Sequence, residues 1–165
     1  MGNRAVITTN ESLGENVANV KQIGVYLHWN GGRDSVQGFL TYCKLKGYRP
    51  PEQDCYGWAR LAQVIGNFFG GTRSIGVDTC DHLDCDNYDN GVYFIKDWEI
   101  VGRAFYRYNR EQDQYKLLDF LKDVNMAQPE EERLKDEEIE KYIKERENEN
   151  NYTNWINKKI INCKR

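Results

Sequence analysis

One segment, Ile23 to Gly47 (IGVYLHWNGGRDSVQGFLTYCKLKG), constrains the fold more than any other part of this chain. It spells a strand, a double-glycine turn and a helix in one unbroken run. Val25 and Leu27 alternate with Tyr26 and His28, as side chains do on a pleated strand. Asn30, Gly31 and Gly32 permit positive φ and close backbone approach, so a turn follows. Asp34 is then placed to cap a helix, with Gln37 as its capping-box partner. Val36, Phe39, Leu40 and Cys43 recur at i, i+3, i+4 and i+7, which is the buried stripe of an amphipathic helix. Gly47 is the expected stop. Unpaired amides at that helix start, the positive end of the helix dipole and Arg33 beside them would attract an anion. Gly31, Gly32 and Arg33 are therefore one candidate ligand site, and the plain alternative is a well-capped connector.

The rest of the body continues the pattern. After Pro50-Pro51, Trp58, Leu61, Ala62, Ile65, Phe68 and Phe69 share a helical face that ends at Gly70-Gly71. Arg60, Gln63 and Asn67 lie on its other side and read as a solvated face. A short strand follows around Ile75 and Val77, then an acidic loop. Next comes a hairpin in which Val92 to Ile95 and Trp98 to Val101 flank Lys96-Asp97. Gln114 to Met126 reads as a third helix with Leu117, Leu118, Leu121 and Val124 inward. This order implies an α+β domain, a largely antiparallel sheet packed with two to three helices, over residues 1–128. Residues 129–165 read as a charged helical extension, since from Pro129 to Glu147 14 of 19 residues are charged. In the remainder, Trp155, Ile156, Ile160 and Ile161 form a short apolar cluster that suits docking or a frayed end equally.

Composition narrows the function classes. A chain of 165 residues, 39% hydrophobic and 13% aromatic, suffices for one ordinary core. A net charge of −3 disfavours a polymeric nucleic-acid partner, which would want a strongly basic face. No apolar run reaches membrane-spanning length and the first residues lack the apolar core of a signal peptide, so a cytoplasmic protein is expected, with no membrane partner. Five scattered cysteines, an odd number, fit free thiols in a reducing compartment.

Two further constellations are candidates for chemistry. In residues 77–91, VDTCDHLDCDNYDNG, Cys80, His82 and Cys85 suggest zinc and the aspartates a hard cation. Zinc sites show two separated ligand pairs and calcium loops a terminal Glu, and both are missing, so no metal is expected. The segment reads better as a turn, with Tyr88 and Asn90 available for ligand contacts. In residues 102–110, GRAFYRYNR, Arg103, Phe105 and Arg107 point the same way on a strand. Two guanidiniums bracketing an aromatic ring suit a nucleotide, because arginine forks onto phosphate oxygens and an aromatic face stacks on a base. The plain alternative is an exposed strand with ordinary surface arginines.

Catalysis has little support. His28 lies in a strand, His82 in the acidic loop, and no G-x-S-x-G, HExxH or P-loop is present. The string GGRDS resembles the core of the SGGxDS loop of the ATP pyrophosphatases, with Asn30 replacing the usual Ser. An ATP-using enzyme is thus one reading, but binding without turnover, with no catalytic residue and no cofactor, is simpler.

Taken together, GVYLHWNGGRDSVQGFLTYCKLKGYRPP, CYGWARLAQVIGNFFGG, SIGVDT and DNGVYFIKDWEIVGR resemble the first described family of Thoeris anti-defence proteins from phages, over roughly residues 3 to 125. The resemblance implies a phage-encoded sponge that sequesters cyclic ADP-ribose isomers without cleaving them. It also implies a homo-oligomer, a dimer or hexamer, and a further capacity for cyclic oligonucleotides at separate sites. The expected ligand residues come from the side chains themselves: Arg103 and Arg107 for phosphate, Phe105 or Tyr88 for stacking, Asn90 for polar contacts. Arg33 with Gly31 and Gly32 is the second candidate. The alternative is a protein-binding phage inhibitor of a host defence complex, comparable to an anti-CRISPR protein.

Overall fold

Ala5–Thr9 (AVITT), a short run without alternation of apolar and polar residues and buried throughout, forms β1, the central strand of the sheet. The computed structural model describes residues 2–9, 21–71, 74–106 and 111–162. These fall into two compact units, Met1–Arg133 and Leu134–Arg165.

In the first unit β2 (Ile23–Leu27), β3 (Ile75–Thr79), β4 (Val92–Lys96) and β5 (Glu99–Ala104) join β1 in the order β3-β2-β1-β4-β5. All neighbours are antiparallel except β1 and β4. With α1 (Arg33–Leu45), α2 (Cys55–Phe69) and α3 (Leu117–Met126), this is the α+β fold expected. The strand missing from the sequence-based order is β1, which supplies the sole parallel pairing among the described strands.

Each face of the sheet has its own core. Val6, Val92 and Phe94 pack with Cys80, Cys85 and Leu83, so the acidic loop covers one side. Across the helices, the Phe39 ring meets Phe68 at 5.3 Å and Phe120 at 5.1 Å, both edge to face. Gly38 allows that approach, since a Cβ there would lie 2.6 Å from Phe120 Cδ1. α1 ends on a left-handed Gly47, with Tyr48 N donating to Cys43 O at 3.1 Å and Gly47 N to Lys44 O at 2.9 Å.

Four local expectations shift. The α1 cap position is Gly32, without a side-chain bond, and Asp34 lies two residues inside, in the first turn. Gln37 is buried instead of capping: its amide donates to Trp98 O at 3.0 Å and accepts from Ile100 N at 3.2 Å, which ties α1 to the hairpin. That hairpin turns at Asp97-Trp98, both at positive φ (50° and 63°), one residue beyond Lys96-Asp97. Trp98 is drawn into the turn because its ring is buried and its indole N–H donates to Tyr48 O at 2.7 Å. α3 starts at Leu117, not Gln114.

In the second unit, α4 runs Asp136–Asn162. The helix expected from Pro129 begins later, after a 3-10 turn at Glu130–Glu132, and it continues well past Glu147. The backbone N–H of Lys135 donates to Glu138 Oε2 at 3.0 Å, a carboxylate closing the helix start. Among the described residues no helix is long and apolar enough to cross a membrane.

Candidate anion-binding site

Antiparallel register places Tyr93 on β4 opposite Arg103 on β5. The Arg103 side chain is 7% exposed; its Nε donates to Asn90 O at 2.6 Å and lies 3.8 Å from Glu111 Oε1. Its guanidinium carbon stands 4.7 Å from the centre of the Phe105 ring. Arg33, the first residue of α1, donates from Nε to both oxygens of Glu111 at 2.9 and 3.0 Å, and its Nη2 is 2.9 Å from Oε1. One carboxylate therefore sits between two guanidiniums, and its hydrogen bond holds Arg33 above the ordinary arginine range.

Tyr93 lies beneath this pair. Arg33 Cζ is 5.7 Å from its ring centre, the residue is 0% exposed, and its hydroxyl has no hydrogen-bond partner among the described residues. Burial, and then the Glu111 charge, push its phenol up from the usual value.

The glycine turn belongs to the same region. A Cβ on Gly31 would come 2.6 Å from Asn3 O, and one on Gly32 would come 2.7 Å from Gln112 O and 2.8 Å from Asp113 Oδ1. The absent side chains let Asn3 lie against Gly31, and Gln112 and Asp113 against Gly32 at the helix start. There Asp34 N donates to Asp113 Oδ1 at 3.0 Å, so an α1 amide expected to be open already meets a carboxylate. Burial, followed by Asp113, raises the Asp34 carboxyl above the ordinary aspartate value.

Asn90 organises the turn. It is fully buried; its Nδ2 donates to Asn3 Oδ1 at 2.6 Å and Arg4 O at 3.1 Å, and its Oδ1 accepts from Gln112 N at 2.7 Å. Both amide protons and the oxygen are thus engaged by the protein. Tyr88 and Phe105 are 45% and 41% exposed and line one small cleft with Tyr106, which is 47% exposed. Arg103, Phe105, Tyr88, Asn90, Arg33, Gly31 and Gly32 are brought together, whereas Arg107 lies outside the described residues.

The acidic loop has a structural role. Cys80 and Cys85 are buried in the core, while His82 is largely exposed beside Asp78 at 3.4 Å. Among the described residues no group of three metal-ligating side chains forms.

Tyr93, Glu111 and Asp113 escaped the sequence reading. Tyr93 sits in an apolar strand where a core role is the default, and nothing local marks Glu111, seven residues past the end of β5, as the partner of Arg33. A second recess lies on α2, where Arg60 faces Tyr48 and Arg49 faces Tyr56 at 5.8 and 5.5 Å. An apolar groove of about 850 Å³ runs beyond it past Gly66, Gly70, Ile75 and Val77. Compared with protein-family models, curated proteins and solved structures, the chain matches none.

Proposed function

We propose that this chain is a phage anti-defence protein that binds cyclic ADP-ribose-type immune signals, with cyclic oligonucleotides as further ligands, and sequesters them uncleaved in the bacterial cytoplasm. The reading starts from the sequence resemblance to Thoeris anti-defence proteins. The observation that carries it is the convergence of Arg33 and Arg103 on one carboxylate beside the exposed rings of Phe105 and Tyr88. Guanidinium forks suit phosphate oxygens, and exposed aromatic faces accept an adenine. The glycine turn and α1 amides add a second anion contact.

Sequestration follows from binding alone. A sponge lowers free ligand by tight, stoichiometric capture, and among the described residues of the cluster none is a nucleophile with a base beside it. Association into a dimer or hexamer would enclose the phosphates further and strengthen each arginine contact by removing water.

The test is to incubate purified protein with cyclic ADP-ribose isomers and cyclic oligonucleotides, filter, heat-denature, and identify the released molecules by mass spectrometry. Recovery of intact ligand, lost in Arg103→Ala, is the expected result. A consumed ligand would make the protein an enzyme, and no depletion would favour the protein-binding inhibitor.

A further inference from the structure

Glu111 and Asp113 are two residues apart, and each meets a different anion-binding device. Glu111 is chelated by Arg33 and faces Arg103. Asp113 accepts from an amide at the start of α1. The intervening Gln112 is pinned through its backbone, with N donating to Asn90 Oδ1 at 2.7 Å and O accepting from Asn3 Nδ2 at 2.9 Å. Its side chain adds a bond to Asp89 at 3.2 Å.

Beneath Arg33, the Tyr93 hydroxyl is buried and has no hydrogen-bond partner among the described residues. A buried hydroxyl without a partner costs free energy, and natural proteins keep few of them. A bidentate carboxylate satisfies Arg33 but leaves this donor idle, whereas a tetrahedral phosphoryl group offers a third oxygen. The region is therefore more complete for phosphate than for the acid that occupies it.

We propose that residues 111–113 are an internal stand-in for a diphosphate: Glu111 and Asp113 hold the two anion positions, and a diphosphate-bearing ligand binds by displacing them, with Tyr93 as an added donor. This rests on the proposed nucleotide-binding role and deepens it by naming the ligand group recognised and the residue that competes with it. Glu111 then sets a threshold. Simple anions compete poorly against a tethered carboxylate, while a ligand that supplies two phosphoryl groups and a stacking ring displaces it.

Inorganic pyrophosphate tests this without any nucleotide. Calorimetry on the full chain should show Glu111→Gln binding pyrophosphate about fivefold or more tighter than wild type, because a neutral amide no longer holds both guanidiniums. Glu111→Gln combined with Tyr93→Phe should lose much of that gain. In wild type, saturating pyrophosphate should speed hydrogen exchange at the Gln112 N–H, whose acceptor is Asn90. Equal or weaker binding by a folded Glu111→Gln, or unchanged Gln112 exchange at saturation, overturns the proposal. Should Glu111→Gln fail to fold, the wild-type exchange result decides alone. Pyrophosphate results of the expected kind with no capture of cyclic ADP-ribose would sink the nucleotide reading and keep this one; the reverse pattern would do the opposite.

Discussion

Replacing Tyr93 with Phe should move stability and affinity in opposite directions. In the free protein the hydroxyl is buried and has no partner among the described residues, so the folded state carries a desolvation cost of about 1–3 kcal/mol that the unfolded chain does not. Phe keeps the ring against Arg33 and removes that cost. Loss of one atom's packing offsets part of the gain, leaving a net stabilisation of about 1 kcal/mol. In the proposed complex the same hydroxyl would donate to a phosphoryl oxygen, a bond to a charged group worth about 1.5–3 kcal/mol. Its removal should weaken capture of cyclic ADP-ribose by about ten- to a hundredfold. Urea unfolding followed by fluorescence gives the first number and calorimetry the second. A Tyr93→Phe protein that is destabilised by ~1 kcal/mol or more would mean that the hydroxyl has a partner after all. Unchanged affinity would mean that it never meets the ligand.

Asn90→Ala should cost about 1–3 kcal/mol in urea unfolding, because it orphans the Gln112 N–H and the Asn3 side-chain oxygen in a buried turn; a loss below about 0.5 kcal/mol would refute its organising role. Gly38→Ala gains about 1 kcal/mol of helix propensity but pushes a methyl to 2.6 Å from Phe120 Cδ1, so thermal melts should show net destabilisation of up to about 2 kcal/mol. Phe39→Ala, which empties a site ringed by Phe68, Phe69 and Phe120, should cost about 3–5 kcal/mol by the same melts. Asp34 titrates above its unfolded value, so its ionisation opposes folding at neutral pH and not in acid. Asp34→Asn should therefore gain stability over wild type at neutral pH, with the difference fading below the ordinary aspartate value of 3.8; an equal difference at both pH values would count against that origin.

Legibility from sequence followed interaction range. α2 was readable because Asp54 caps it, one apolar face runs its length, and Gly70 ends it in a left-handed conformation. The hairpin was readable to within one residue, and the error came from Trp98, whose burial and bond to Tyr48 draw it into the turn. β1 was invisible, since AVITT is buried on both faces and shows no alternation. Gln37 misled for a related reason: its capping-box spacing is genuine, but a distant strand offered its amide better partners.

The strand, glycine turn and helix around Ile23–Leu45, the aromatic stripe of α2, Arg103 and the exposed Phe105 at the end of β5, and the charged character of the last helix were determined by the sequence itself. Each depends on contacts within a turn or two of chain. Tertiary structure decided that Arg33 and Arg103, 70 residues apart in sequence, share one carboxylate, that Asp113 meets an α1 amide, and that the Asn90 side chain bonds Asn3 and Gln112 across the turn. Those pairings arise because β4 and β5 place Arg103 opposite Tyr93 while Gly32 admits Gln112 and Asp113 to the helix start and Gly31 admits Asn3, and no local pattern encodes an encounter between segments that far apart.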